Sequence, residues 1–139
     1  MIHKMQIRIA YADTDQMGVV YYGNYLTFFE RARTEWLRDA GLEYRTMEER
    51  GLYFPVIYAE CNYKSPARYD DLITVETKLT ELTTASITCE YEVKLGDRLL
   101  VTGKTRHPLV NKEFKVVRFP KDIRELMGKY LYEKVESGK

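Results

Sequence analysis

Asn24-Tyr-Leu-Thr-Phe-Phe-Glu-Arg-Ala-Arg-Thr-Glu-Trp-Leu-Arg-Asp-Ala40 is the stretch where the period of the chain turns helical. Tyr25, Leu26, Phe28, Phe29, Ala32, Trp36, Leu37 and Ala40 recur at helical spacings, which puts them on one wide stripe. Glu30, Arg31, Arg33, Glu35 and Arg38 mostly take the opposite side. Asn24 is a candidate N-cap and Gly41 a candidate C′ residue. Such a helix is a rod of about 25 Å. Its stripe is too broad and aromatic for a two-helix seam, so it needs a sheet.

The rest of the chain supplies one. Residues 4–11 alternate, with Met5, Ile7, Ile9 and Tyr11 on one face and Lys4, Gln6 and Arg8 on the other. Residues 13–23 break the period and read as a loop; 43–50 suit a short helix ended by Gly51. Alternation then returns over 56–64, 72–82, 86–95 and 98–110, with Gly96-Asp97 as a two-residue hairpin signal. Short links at 65–71 and 83–85 predict an antiparallel meander. Phe114 to Phe119 is expected to extend the sheet. Pro120 is expected to open a C-terminal helix over about 120–134, with Ile123, Leu126, Met127 and Tyr130 on one side. The polar residues 133–139 are expected to fray. One long helix against one curved antiparallel sheet is a two-layer α+β fold, here in a single domain, 1–139.

Composition narrows the function. Lys plus Arg (22) nearly balance Asp plus Glu (21), so no global field favours nucleic acid or an anionic membrane. A balanced total still leaves room for local basic sites. No apolar run is long enough to span a membrane, and the start Met1-Ile-His-Lys-Met-Gln lacks a signal-peptide core, so a cytoplasmic protein without membrane insertion is expected. Cys61 and Cys89 occupy apolar positions of strand alternation and belong to no CxxC pair; reduced core thiols are expected.

Asp13 and Asp15 stand in the loop ahead of the helix. Asp-Thr-Asp near a turn suits turn or capping chemistry. It also suits catalysis, because Gly18 permits close backbone approach and a helix N-terminus follows, whose free N–H groups polarise a carbonyl. A calcium loop is not supported, since Met17, Val19 and Val20 stand where later oxygen ligands would be; no metal and no cofactor are expected. There is no GxSxG elbow, P-loop or GxGxxG. His3 lies near a start expected to be mobile, and His107 reads as structural. If this chain is an enzyme, a carboxylate must serve as base or nucleophile. Lys64-Ser-Pro-Ala-Arg-Tyr-Asp-Asp71 is either a proline turn with solvated charges or a local cationic patch, through Lys64 and Arg68, for an anionic ligand.

Asp13-Thr-Asp-Gln-Met-Gly-Val-Val-Tyr-Tyr-Gly-Asn-Tyr25 closely resembles the signature of hotdog-fold thioesterases of the 4-hydroxybenzoyl-CoA thioesterase family. Phe28-Phe-Glu-Arg-Ala-Arg-Thr-Glu-Trp36 resembles the branch that includes the Tol–Pal-associated acyl-CoA thioesterases, and Pro66-Ala-Arg-Tyr-Asp-Asp-Leu-Ile-Thr-Val-Glu-Thr77 also fits. The resemblance implies a hotdog fold, a curved antiparallel sheet wrapped around one long central helix, and hydrolysis of an acyl-CoA to free acid and coenzyme A. It makes Asp15 the catalytic carboxylate, as nucleophile or as base for water, and places the carbonyl oxygen on backbone N–H groups at Tyr22–Gly23. On the same resemblance Gly18, Val19, Asn24 and Tyr25 are expected to shape the substrate site, and Lys64 and Arg68 are candidates for the coenzyme phosphates. It implies a homo-oligomer, a dimer or a dimer of dimers (a homotetramer), with the active site at the dimer interface.

Two positions depart from the family. Tol–Pal-type members usually carry histidine where this chain has Tyr22. A tyrosine side chain donates a hydrogen bond but does not switch charge near neutrality, so that branch's pH profile is not carried over. The 4-hydroxybenzoyl enzyme has adjacent arginines where Thr83 and Thr84 stand, so its aromatic specificity is not carried over either. Glu30, on the central helix, is the second-choice carboxylate. A non-catalytic acyl-CoA-binding or sensing hotdog protein is the alternative function.

Overall fold

The computed structural model describes residues 1–132. In chain order they form β1 (Ile2–Arg8), α1 (Asn24–Asp39), α2 (Tyr44–Glu49), β2 (Tyr58–Tyr63), β3 (Leu72–Leu82), β4 (Ser86–Leu95), β5 (Arg98–Pro108) and α3 (Lys121–Gly128). The strands make one antiparallel sheet in the order β1-β3-β4-β5-β2. Helix α1 lies on one face, giving the two-layer α+β architecture expected.

Strict alternation explains which face is which. Ile73, Val75 and Leu79 of β3 and Ile87, Cys89, Tyr91 and Val93 of β4 are buried, facing Phe28, Phe29, Ala32 and Trp36 of α1 in one apolar core. Each large side chain buried this way is worth about 1.5–3 kcal/mol. The other face is charged and partly self-paired, with Lys94–Glu76 at 3.2 Å and Lys78–Glu92 at 3.5 Å. Register shifts at Leu79/Glu81 and Val93/Lys94 interrupt the ladders, and irregularities of this kind bend strands toward a helix they cover.

Two glycines act through their geometry. Gly103 on β5 faces α1, and a Cβ there would lie 2.2 Å from the Phe29 ring, which itself stacks on Tyr91 at 4.4 Å between centroids. Gly41, at φ +83, ends α1. Its N–H donates to Arg38 O and that of Leu42 to Leu37 O, the paired bonds of a Schellman stop.

Several expectations need correction. β1 runs Ile2–Arg8, not 4–11, and Tyr11 is 78 % exposed in a short 3-10 turn. His3 is held in β1, its Nε2 2.8 Å from Asp39 Oδ2, and so is not in a mobile start. Leu26 lies off the buried stripe at 44 % exposure. Asn24 is the first helical residue, following Gly23, and its side-chain amide donates to Asp13 O at 3.0 Å instead of capping. β3, β4 and β5 form the meander, but β2 does not join it; β2 pairs with β5 at the far edge and β1 takes the place beside β3. The 65–71 link is a crossover because its backbone partners are elsewhere: Ala67 O accepts from Val20, and Asp70 and Asp71 bond Ile9. Phe114–Phe119 adds no strand, only an isolated Val110–Val116 bridge. α3 stops at Gly128, short of the expected 134, and the expected fraying of 133–139 lies outside the described residues.

Candidate active site

The loop between β1 and α1 is a network of backbone bonds with Asp15 at its turn. Asp13 builds the loop: its carboxylate accepts from Ala10 N–H at 2.8 Å, and its carbonyl from Tyr21 N–H at 2.9 Å. Asp15 N–H donates to Val19 O at 2.9 Å, while Asp15 O accepts from Gly18 N–H at 3.0 Å. Gly18 closes this tight turn at φ +78, a conformation glycine adopts without a Cβ penalty. The Asp15 carboxylate accepts only Met17 N–H, at 2.8 Å, among the described residues.

The loop leads through Tyr21, Tyr22 and Gly23 into the start of α1. Tyr21, Asn24 and Tyr25 N–H groups donate to the carbonyls of Asp13, Tyr21 and Tyr22. The Tyr22 and Gly23 amides have no acceptor among the described residues, leaving two donors at a helix N-terminus. A Cβ at Gly23 would meet the Tyr21 ring at 2.8 Å, so any larger residue there would push that half-exposed ring aside.

Asp15 and Tyr22 share the wall of a cavity of about 350 Å3 with Met17, Val19, Val20 and Tyr25. Tyr63, Lys64, Ser65 and Pro66 form its other side. Of the residues expected at the site, the structure brings together Asp15, Val19, Tyr22, Tyr25 and Lys64. Gly18, Gly23 and Asn24 are not among the lining residues and are next to them in the chain. Arg68 does not line the cavity: its backbone bridges Val19 and donates to Asp71 Oδ2 at 2.8 Å. Glu30 lines a different cavity of about 200 Å3 with Arg33 and Thr34, and Thr83 and Ser86 close the β3–β4 turn with a 2.7 Å hydroxyl pair.

Tyr63, at the end of β2, was not singled out from sequence. Its hydroxyl donates to Tyr22 O at 3.2 Å, and its ring meets Tyr22 and Tyr25 at 6.2 and 5.8 Å. Burial and the Cys61 neighbour push this hydroxyl up to about 12, so it remains a donor. Its only signal in sequence was a place on the apolar face of β2.

Other nucleophiles and bases are disfavoured. Burial raises the Cys61 thiol and pushes that of Cys89 up to about 12, so neither is a thiolate near neutrality. His107 is fully buried; its Nδ1 faces Pro55 O at 3.2 Å and its Nε2 faces Thr105 Oγ1 at 2.8 Å. A carbonyl only accepts, so Nδ1 carries the proton. The chain then runs from Arg33 to Tyr91 (3.1 Å), to Thr105 (2.7 Å), to His107.

Burial, aided by the Arg33 charge, lowers His107 to about 3. The unfolded imidazole takes up its proton near pH 6.5. Between those values the unfolded chain binds more protons, so the contribution is full above pH 6.5 and declines as pH falls toward 3. Denaturant titrations should show stability falling by about 1.4 kcal/mol per pH unit below pH 6. A flat response from pH 7 to 4.5 would contradict a buried neutral imidazole.

The family model of the thioesterase superfamily matches residues 17–102. An acyl-CoA thioesterase of Haemophilus influenzae is 38% identical over 120 residues, covering 85% of this chain and 88% of its own length. A probable thioesterase structure from Bartonella henselae is 40% identical, with a TM-score of 0.81 over 86% of this chain and 100% of that one. A DHNA-CoA thioesterase structure from Staphylococcus aureus is 32% identical, with a TM-score of 0.87 over 92% and 89%. Among the described residues no helix is long and apolar enough to cross a membrane. The chain therefore belongs to the thioesterase superfamily, as a thioester hydrolase on the hotdog fold.

Proposed function

We propose that this hydrolase cleaves acyl-CoA to the free acid and coenzyme A, with Asp15 as the catalytic carboxylate. The observation that carries the reading is one apolar-walled cavity lined by both Asp15 and Tyr22, next to a helix start where the Tyr22 and Gly23 amides have no acceptor among the described residues. The thioester carbonyl oxygen would accept from those amides, which strengthen as charge develops on it. Asp15 would either attack the carbonyl carbon, forming an anhydride that water then opens, or take a proton from the attacking water. On both routes the C–S bond breaks, the thiolate leaves with a proton, and the carboxylate is regenerated.

Tyr63 has a positioning role in this reading. By donating to Tyr22 O it holds the same peptide unit whose N–H is Gly23's. Tyr25 and Val20 would bound the acyl group. Lys64, at the cavity, would meet the coenzyme phosphates, with Arg68 farther out beyond Val19. Exposed Tyr22, Leu26, Ile57 and Tyr63 support a homo-oligomer, a dimer or dimer of dimers, that would complete the cavity. The reading takes 1–139 as one catalytic domain and places it in the cytoplasm.

Thiol release measured across short, long and aromatic acyl-CoAs tests the function. Release from at least one of them is expected. Thermal stabilisation by acyl-CoA without release would replace catalysis with binding alone. In the same assay, Tyr63→Phe should lower kcat about ten-fold and leave KM within two-fold, because it frees an oxyanion peptide and removes no substrate contact. An unchanged kcat would remove Tyr63 from the mechanism.

A further inference from the structure

The loop after β5 does not line the cavity that holds Asp15, and its chemistry is distinct. Residues 112–121, Lys-Glu-Phe-Lys-Val-Val-Arg-Phe-Pro-Lys, carry four cations (Lys112, Lys115, Arg118, Lys121) and one acid, in a chain whose total charge is +1. All four cations are exposed, as are Phe114 at 73 % and Val116 at 62 %. The nearby Asp122 is already engaged by Arg50 at 2.8 and 3.1 Å.

The tip is also held in shape. Asn111 Oδ1 accepts from Glu113 and Lys115 N–H at 3.0 and 3.1 Å, and Asn111 exchanges backbone bonds with Phe114 and Lys115, each at 3.0 Å. Phe114 sits at φ +61, where glycine is relaxed and a bulky residue is strained. A large aromatic ring occupies the glycine position of a rigid turn and points to solvent, beside a second exposed apolar residue and among cations. That combination suits the interface of an anionic bilayer, where phosphate groups meet the cations and the acyl boundary accepts the ring.

We propose that the 111–118 loop docks this protein peripherally on an anionic phospholipid surface, with Phe114 as the inserted side chain and Lys112, Lys115 and Arg118 against the headgroups. The attachment is to a surface and needs no spanning helix.

Co-sedimentation of the full chain with phosphatidylcholine vesicles, alone or mixed with phosphatidylglycerol, tests it. Binding to the mixed vesicles, weakened by added salt, is expected. Phe114→Gly should cut that binding about ten-fold while the Tm stays level or rises, because glycine relaxes the turn. Lys112→Glu with Lys115→Glu should abolish binding. None of these variants should change thiol release from a short, soluble acyl-CoA. Failure to bind mixed vesicles, equal binding to phosphatidylcholine alone, or undiminished binding by Phe114→Gly would overturn the proposal. So would self-association that Phe114→Gly abolishes, which would make the tip a contact between copies.

Discussion

Asp15→Asn is expected to lower kcat for thiol release by about 10²–10⁴-fold while leaving the fold and KM near their original values. The reason lies in what the substitution keeps. Asparagine is nearly the same size, and its side-chain oxygen still accepts from Met17 N–H, the only bond the Asp15 carboxylate makes among the described residues. The turn bonds through Asp15 N–H and O are backbone bonds and are untouched. What disappears is the negative charge that attacks the carbonyl or takes the proton from water. Asp13→Asn is the internal control: that carboxylate is spent on Ala10 N–H, so activity should stay within a few-fold. Steady-state kinetics with a thermal melt of each variant checks both. Full turnover by Asp15→Asn would remove Asp15 from the catalytic role.

The second large effect is on stability. Gly103→Ala should destabilise the protein by about 3 kcal/mol and lower Tm by roughly 10 °C, although alanine is intrinsically no worse than glycine in a strand. The new methyl would lie 2.2 and 2.4 Å from Phe29 ring atoms and 3.2 Å from Glu60 O. Phe29 has no exposed surface and lies flat on Tyr91, with an 8° angle between the rings, so it cannot swing aside. Helix α1 would have to lift or the stack would have to break. Shortening the obstacle should rescue much of the loss, so Phe29→Leu combined with Gly103→Ala should cost less than the sum of the two singles. Additive costs would show that the clash is not the cause.

What could be read from sequence followed from local pattern. The limits of β3 and β4 were legible to the residue because Ile73-Val75 and Ile87-Cys89-Tyr91-Val93 alternate without interruption. The pairing of β2 was not. A seven-residue link between strands looks like a hairpin whether it turns back or crosses the end of a helix, and only the bonds from 67–71 to Ile9 and Val20 decide. Leu26 shows the same limit, since a helical stripe specifies a face but not where the sheet stops covering it. At the site, Asp15, Val19, Tyr22 and Tyr25 sit within one contiguous motif and were legible together. Tyr63 was not, because its role depends on an edge strand meeting a helix start far away in the chain. Arg68 lies outside the cavity lining, where its backbone bridges Val19, a placement that the charge pattern could not give.

The crossover has a consequence for how activity is lost. One wall of the cavity continues from β1 and the other from β2, and these are the two edges of the sheet. Edge strands are bonded on one side only and open at lower free energy than the strands they border. Fluctuations that detach β1 from β3, or β2 from β5, would dissolve the cavity while α1 still packs on β3 and β4. Loss of activity is therefore expected to track the hydrogen-exchange protection of Ile2–Arg8 and Tyr58–Tyr63 more closely than the global unfolding free energy that the core sets.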